Sequence, residues 1–323
     1  MKKFINETMW DILIWLEAEV EDIDPSDKIL FQIPNPDLDT TKRYHSWRSW
    51  SDLATLLYCR MMTPHIINDR EVIVSFQKLD HSDSFHTAET SDHREKYGTL
   101  SSFSLIEKNE EPAFIFAFVK ALKQVKIEER QTILDLGVNS GDEFEVITSI
   151  LPKKSYKSMS LIGIDHSRSA IERAKMRFPQ ANISLYCHDI NHLKTLSLPK
   201  ADLIISIGTL QSPSIEFKPL FMSLIQDHLT PSGAIILGFP NCRWIDGEMI
   251  YGAKAPNYNF SEMSLVIKDI YFCKKYLQQH RFRVTITGKE YLFLTATKIR
   301  IRLPQGNNYC HTTPSFSKLY CII

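Results

Sequence analysis

The sequence predicts an α/β protein with a doubly wound, seven-stranded, mostly parallel sheet whose last strand is antiparallel, preceded by an N-terminal helical cap. Three observations support this fold class. Short β-rich runs alternate with helical patterns from residue 131 to residue 238, as in parallel sheets with crossover helices. Two further β-rich runs, 282–287 and 291–297, flank the short turn Gly288-Lys289-Glu290 and predict an antiparallel hairpin. The residues before the sheet contain three amphipathic helical patterns.

The N-terminal part is mainly helical in pattern. Apolar residues recur there at helical spacing, with acidic residues on the opposite face of the first pattern. Pro and Asn interrupt these patterns. The predicted elements, in chain order, are a helix over 4–23, a break at Ile33-Pro34-Asn35-Pro36, a helix from Trp47 to Met61, a strand over 71–76, a loop over 80–95 and a helix opening at Glu111-Pro112.

The sheet region and the C-terminal segment follow. The first five strands of the predicted sheet are 131–135, 160–164, 183–187, 203–207 and 234–238. Residues 300–323 mix Pro, Gly, Asn and Thr without periodicity, which predicts an irregular tail. We therefore expect three parts: a cap or lid over 1–109, a ligand-binding domain over 110–299, and the tail.

Composition narrows the possible partners. The 323 residues carry a formal net charge of zero, which argues against a broad basic face for nucleic acid or anionic lipid. No run of about twenty apolar residues is present, and the N-terminus does not resemble a signal peptide. The six cysteines include no CxxC pair, which favours reduced thiols. The expectation is a cytoplasmic protein with no membrane or nucleic-acid partner.

A glycine-rich turn indicates the ligand. Residues 133–144 read ILDLGVNSGDEF, so a strand passes through glycines into a helix, which lets the backbone approach a ligand at the carboxyl ends of the strands. The helix begins Gly141-Asp142-Glu143, whose acids repel a phosphate. The predicted ligand is a nucleoside without phosphates that carries positive charge, and S-adenosylmethionine fits this description. The histidines at 81, 86 and 93 match no common metal-site spacing, so no metal is expected.

This stretch resembles motif I of the class I S-adenosylmethionine-dependent methyltransferases, which have a Rossmann-like fold. The family form is acid-x-Gly-x-Gly-x-Gly, and Asn replaces the middle glycine here. The resemblance covers about residues 110–298 and extends to LIGIDHS, CHDI, ADLIISIGTLQS and LTPSGAIILG. It implies that Asp165 accepts the ribose hydroxyls, that His166 packs beside the adenosine and that Asp189 receives the adenine amino group. The cofactor-binding residues that it implies are Asp135, Gly137, Asn139, Gly141, Asp165, His166, Asp189, Ile190 and Ser206.

The reaction itself is left open by the sequence. The Asn/Asp-Pro-Pro-aromatic run of enzymes that methylate amino groups on DNA or protein is missing, and no cysteine stands at an obvious motif position. Methyl transfer to a small molecule is therefore the first expectation. In a second hypothesis, Asn139 and Ser206 orient the methionine amine toward its own γ-carbon, which gives azetidine-2-carboxylate and methylthioadenosine. Asn139 is more simply explained as a residue that tolerates a left-handed turn. A non-catalytic cofactor-binding protein is a third hypothesis.

Residues near the acceptor are predicted from their place in the architecture. The stretch 240–263 follows the fifth strand of the sheet and borders the reacting centre. Within it, Asn241, Arg243 and Tyr251 are candidates for substrate contact. Tyr97, which precedes the third helix, is a candidate lid residue over the cofactor. The sequence identifies neither a general base nor an oligomeric state.

Overall fold

The computed structural model describes residues 1–38, 45–81, 95, 97–252 and 263–299. The predicted loop over 80–95 falls largely outside these residues, as does the predicted tail over 300–323. The described N-terminal elements are β1 (Lys2–Lys3), α1 (Met9–Asp22), β2 (Lys28–Pro34), α2 (Trp47–Leu56), β3 (Cys59–Met61), β4 (His65–Asn68) and β5 (Glu71–Lys78). The strands form a five-stranded sheet in the order β1-β2-β5-β3, with β4 also paired to β5.

This N-terminal sheet corrects the prediction of a helical cap. The two expected helices are present, although the second ends at Leu56 and Cys59–Met61 of its predicted span form β3. Both helices pack on a sheet whose strands β1 to β4 were not predicted. Phe31, Val74 and Phe76 of the sheet are fully buried against Leu16 of α1 and Trp50 of α2. Burial of these large apolar side chains gives the region its own core.

Helix α1 starts later than predicted because of a capping box at Thr8. The Asp11 backbone N–H donates to the Thr8 hydroxyl oxygen at 3.2 Å, and the Thr8 backbone N–H donates to the Asp11 carboxylate at 3.1 Å. These two bonds satisfy N–H groups that have no partner within the helix. Residue 4 therefore lies before the helix, where Phe4 packs into the N-terminal core.

The large sheet confirms the predicted fold class. The elements of this part of the chain, in order, are α3 (Pro112–Gln124), β6 (Thr132–Leu136), α4 (Asp142–Ile150), α5 (Lys153–Ser158), β7 (Ser160–Asp165), α6 (Arg168–Arg177), β8 (Ile183–Cys187), β9 (Ala201–Ile207), α7 (Phe217–Ser223), β10 (Leu229–Pro240), β11 (Cys242–Ile245), β12 (Glu248–Tyr251), α8 (Met263–Gln279), β13 (Phe282–Gly288) and β14 (Tyr291–Lys298). Seven strands pair in the order β13-β14-β10-β9-β6-β7-β8. Strand β14 runs antiparallel to the other six strands of this sheet.

Both faces of the large sheet are buried, as in doubly wound folds. Ile133 of β6 faces a core that includes Phe118 of α3 and Phe144 of α4. Leu134 faces the opposite core, which includes Phe221 of α7 and Leu277 of α8. Neighbouring residues of one strand therefore belong to different cores, because side chains alternate across a sheet.

The strand directions place the predicted site residues at one edge of the large sheet. Five strands, β6 to β10, run parallel, so their carboxyl ends lie side by side. The hairpin β11–β12 continues from β10 at this edge and is a separate two-stranded sheet. Among the residues that the structure describes, no helix combines the length and the apolar character needed to cross a bilayer.

Candidate functional site

Several buried polar atoms at the carboxyl edge of the large sheet have no hydrogen-bond partner among the described residues. They include both carboxylate oxygens of Asp135 in β6, the hydroxyl of Ser206 in β9, and side-chain carbonyl oxygens of Gln211 and Asn241 in the loops that follow β9 and β10. Buried polar groups in folded proteins almost always have hydrogen-bond partners. A group of such atoms on adjacent strands therefore marks a place that suits a polar ligand.

Asp135 lies beneath the start of α4, in an acidic and buried environment. Burial, together with the negative charge of Glu143, raises the pKa of Asp135 well above its ordinary value, and Lys108 opposes this effect. The Lys108 ammonium donates to Glu143 at 2.8 Å and lies 3.8 Å from Asp142. One lysine thus faces three carboxyl groups, those of Asp135, Asp142 and Glu143. Because the acidic groups outnumber the basic one, this edge favours a positively charged ligand.

The turn after β6 adopts left-handed conformations at three positions. Gly137, Asn139 and Gly141 have φ angles of 77°, 45° and 91°. A Cβ atom at Gly137 would overlap the side chain of Thr209, and one at Gly141 would overlap the Phe178 ring. These two glycines are therefore needed for backbone angle and for packing. Asn is among the few other residues that populate this region readily.

The Asn139 side chain is engaged within the protein. Its amide nitrogen donates to the Tyr97 carbonyl oxygen at 2.7 Å, and its amide oxygen accepts from the Ser140 backbone N–H at 2.8 Å. This arrangement explains why Asn suits the position better than Gly, since it tolerates the angle and also holds Tyr97. It does not favour the cyclisation hypothesis, in which the same amide orients a methionine amine.

Asp165 ends β7 and connects two loops. Its carboxylate accepts from the Asn139 backbone N–H at 3.0 Å and from the Ser167 backbone N–H at 2.9 Å. Burial raises the pKa of Asp165, while these backbone bonds and the nearby His166 oppose the rise. Each oxygen retains a lone pair for a further donor. The His166 side chain is 42% exposed, and its ring centroid lies 6.2 Å from that of Tyr97.

Asp189 and Ile190 follow β8 at the same edge. Asp189 is exposed, and its side chain accepts from the Asn191 backbone N–H at 2.9 Å as the cap of a short 3-10 helix over Ile190–Leu196. Ile190 is buried. One carboxylate oxygen of Asp189 takes part in no described hydrogen bond.

A segment from the N-terminal part crosses this edge. We call residue 95 together with residues 97–111 the strap. Its Glu95 carboxylate accepts from the Ser167 and Ser169 hydroxyls and from the Arg168 backbone N–H, at the start of α6. Burial by itself raises the pKa of Glu95, but these hydrogen bonds hold the pKa below its ordinary value. At the other end, Lys108 contacts the start of α4. The strap therefore spans the loops after β6 and β7.

Sequence reasoning found one strap residue and missed two. Tyr97 was predicted as a lid residue, and it lies beside His166 and Asn139. Glu95 and Lys108 were not predicted. Their partners are 74 and 35 residues away in the chain, and no local pattern links them.

The predicted acceptor residues do not all lie together. Asn241 is buried directly after β10, and its amide donates to the Lys289 carbonyl oxygen at 3.0 Å. Arg243 is buried against Tyr58 of the N-terminal part. Tyr251 is 45% exposed and lies beneath the Lys289 ammonium, which is 5.3 Å from its ring centroid.

A family model now adds to this geometry. Residues 127–284 match the family described as Methyltransferase domain. Together with the strand order and the acid-and-glycine turn, this match supports a class I S-adenosylmethionine-dependent methyltransferase, which is a transferase. A search of curated protein sequences gave no match.

Several methyltransferases of known structure have a similar shape. A SAM-dependent methyltransferase from Aquifex aeolicus is 17% identical, with a TM-score of 0.42, and the alignment covers 61% of this chain and 98% of that one. A precorrin-6y C5,15-methyltransferase from Geobacter metallireducens GS-15 is 12% identical, with a TM-score of 0.40 and coverage of 56% and 87%. The plantazolicin methyltransferase BpumL, in complex with a desmethylPZN analog and SAH, is 16% identical, with a TM-score of 0.45 and coverage of 61% and 90%.

Proposed function

We propose that this chain transfers the methyl group of S-adenosylmethionine to a small molecule, in a site that residues 1–109 cap. The observation that carries the proposal is the contact between the N-terminal part and the carboxyl edge of the large sheet. The strap crosses the loops after β6 and β7, and Tyr58 and Arg60 contact the hairpin that follows β10. The strap and the N-terminal residues at the hairpin therefore cover parts of this edge, which suits an acceptor small enough to be enclosed between them and the large sheet.

The residues at the edge fit S-adenosylmethionine. Asp135 has two buried oxygens that no described residue contacts through a hydrogen bond, which suits the ammonium group of the methionine portion. The first turn of α4 carries Asp142, Glu143 and Glu145, which disfavours a ligand with phosphates at that helix start. The carboxylate of Asp165 retains acceptor capacity for hydroxyl donors. Charge and hydrogen-bonding capacity thus agree with a cationic nucleoside.

Roles for individual residues follow from these positions. Asp165 is proposed to accept the ribose hydroxyls, and Asp189 with Ile190 to contact the adenine. Gly137 and Gly141 shape the turn, while Asn139 holds Tyr97 above it. The unpartnered hydroxyl of Ser206 is proposed to contact the methionine portion. The bound cofactor supplies a methyl group activated by the sulfonium, so the protein contributes mainly orientation and exclusion of water.

The direct test is to identify the products. The protein is incubated with S-adenosylmethionine that carries a labelled methyl group, together with either the small-molecule filtrate or the retained macromolecules of a cell extract. We expect S-adenosylhomocysteine and label in a small molecule with the filtrate. Label on a macromolecule overturns the acceptor class. Methylthioadenosine without any acceptor indicates cyclisation, and cofactor binding without any product indicates a non-catalytic protein.

The Asn139→Gly variant tests the role of the strap. Glycine adopts the same backbone angle without steric cost, but the bond to the Tyr97 carbonyl oxygen is lost. A neutral hydrogen bond contributes about 0.5–1.5 kcal/mol, so we expect cofactor affinity to fall by about 2- to 12-fold. Turnover at saturating cofactor should be retained. Calorimetry and steady-state kinetics measure the two quantities separately.

A matched control for this variant is Asn109→Ala. Asn109 is another strap amide, and it donates to the Asp142 carbonyl oxygen at 3.1 Å and to the Glu145 carboxylate at 2.8 Å. We expect a similar change in affinity, because both variants loosen the same segment. If Asn139→Gly binds the cofactor normally but has lost turnover, the Asn139 amide acts at the reacting centre and the strap role is wrong.

A further inference from the structure

Arg243 is a buried cation without a described counter-charge. It lies in β11 at the junction between the hairpin β11–β12 and the N-terminal part, and only 8% of the residue is exposed. Its Nη2 donates to the Tyr58 hydroxyl, and its guanidinium carbon lies 5.0 Å from the centroid of the Tyr58 ring. Its Nε is buried and has no hydrogen-bond partner among the residues that the structure describes. No carboxylate of the described residues lies within 4.0 Å of the guanidinium.

A second arginine at the same junction, Arg60, differs from Arg243 because it has a carboxylate partner. Arg60 of β3 donates from Nε to the Glu248 carboxylate at 2.5 Å and from Nη2 to the Asp246 carbonyl oxygen at 2.8 Å. Arg60 therefore links the two parts of the protein as an ordinary ion pair. Arg243, on the same hairpin as Glu248, has only the neutral Tyr58 as its described partner. The junction thus contains one guanidinium with a carboxylate partner and one that has none among the described residues.

A cavity adjoins Tyr58. It has a volume of about 300 Å³, and Val20, Leu56 and Leu57 supply the apolar part of its lining. The remaining lining residues are Tyr58, Lys78, His81, Glu17 and Glu21. The two glutamates are exposed residues of α1. This volume lies at the lower end of the range for small-molecule sites, about 300–1,000 Å³.

Two of the residues that line this cavity, Lys78 and His81, are basic. The His81 ring stands edge-on to the Tyr58 ring, with centroids 4.7 Å apart. The Lys78 ammonium donates to the carbonyl oxygens of Val20 and Ile23 at 2.7 and 2.6 Å. Arg243 does not line the cavity, but its guanidinium contacts the Tyr58 side chain, which does. The lining therefore combines apolar side chains with two basic residues and two exposed acids of α1, and Arg243 adjoins it through Tyr58.

Guanidinium groups carry five N–H donors and no acceptor. A buried guanidinium is unfavourable unless it is paired, and a carboxylate matches its planar geometry best. We propose that this junction binds a small organic carboxylate with an aliphatic body, whose carboxylate pairs with Arg243 and whose body occupies the cavity beside Tyr58. The proposal goes beyond methyl transfer and does not depend on it, because none of the residues proposed to bind the cofactor takes part.

Binding of defined probes to the full chain tests the proposal. The probes are hexanoate, its uncharged amide hexanamide, and inorganic phosphate, each titrated calorimetrically into the wild type, Arg243→Met and Arg60→Met. We expect hexanoate to bind the wild type at least tenfold more tightly than hexanamide or phosphate. Arg243→Met should lose this binding by at least tenfold, while Arg60→Met keeps it. Absence of hexanoate binding, equal binding of the amide, or normal binding by Arg243→Met each overturns the proposal, and tighter phosphate binding rejects the aliphatic carboxylate.

The stability of the ligand-free variants is an independent readout. If Arg243 has no counter-charge within the chain, Arg243→Met removes an uncompensated buried charge and the midpoint of thermal unfolding stays equal or rises. Arg60→Met should lower the midpoint, because Glu248 loses its partner. A fall for Arg243→Met as large as that for Arg60→Met shows a counter-charge inside the protein and overturns the proposal. S-adenosylhomocysteine titrated into the same variants reports on the cofactor site separately.

Discussion

Replacement of Asp165 by Ala is expected to weaken S-adenosylmethionine binding by about 10²- to 10⁴-fold. The proposed role of this carboxylate is to accept two ribose hydroxyls, and a hydrogen bond to a charged group contributes about 1.5–3 kcal/mol. Two such bonds correspond to this range, since each 1.4 kcal/mol is about tenfold in affinity. Calorimetry with S-adenosylmethionine and S-adenosylhomocysteine measures the change.

A matched control separates binding from folding. Asp165 also accepts from two backbone N–H groups, so its loss affects the loops themselves. Asp202, at the opposite end of the sheet, does the same: it accepts from the Gln131 and Thr132 backbone N–H groups at 2.8 and 3.0 Å. Asp202→Ala should therefore lose comparable structural bonds and keep its cofactor affinity. Unchanged affinity in Asp165→Ala, or an equal loss in both variants, contradicts the assigned role of Asp165.

The large sheet was predictable because its signals are local. Each buried strand is a short apolar run between helical patterns, and a parallel order places the strand ends at one edge. The residue types in the turn from Gly137 to Gly141 indicate its unusual backbone angles, because Gly and Asn populate the left-handed region more readily than other residues. The acid at 165 follows a predicted strand directly, and the acid at 189 lies two residues after the next predicted strand. These features depend on neighbours in sequence, so one chain is sufficient to find them.

The N-terminal sheet and the strap were missed for the opposite reason. Strand β1 has two residues, β3 has three, and all four residues of β4 are exposed, so none has a period-two pattern long enough to recognise. Strand β2 ends at Pro34 and pairs with β5, about 40 residues later. The contact between Lys108 and Glu143 depends on the fold as a whole. Long-range pairing of this kind has no local sequence signature.

The Lys108→Met variant is expected to be the most destabilised of those described. Its ammonium pairs with Glu143, whose side chain is 2% exposed, and the Lys108 side chain is itself only 13% exposed. Burial opposes the charged form of Lys108, but Glu143 and Asp142 outweigh this effect and raise the pKa of Lys108. Removing one partner of a buried pair leaves an uncompensated charge, which costs about 3–5 kcal/mol. Chemical denaturation at neutral pH measures this loss in the free energy of unfolding.

The exposed pair between Lys126 and Glu129 provides the control. These side chains are 55% and 46% exposed, and such surface pairs contribute about 0–1 kcal/mol. Lys126→Met should therefore be close to the wild type. The double variant Lys108→Met with Glu143→Gln should recover much of the lost stability, because it removes the buried charge as well. If Lys108→Met is as stable as Lys126→Met, the buried pair does not hold the strap to α4.

The loss in Lys108→Met should also depend on pH. Burial raises the pKa of Glu143 and of Asp135 in the folded protein, and Lys108 opposes the rise in both. Without Lys108 these folded-state pKa values rise further, while those of the unfolded chain keep their ordinary values. The folded variant then binds more protons than the unfolded chain, so its stability falls as pH rises. The difference in free energy of unfolding between wild type and variant should be larger at pH 8 than at pH 5. A difference that grows as the pH falls contradicts this assignment of the buried charges.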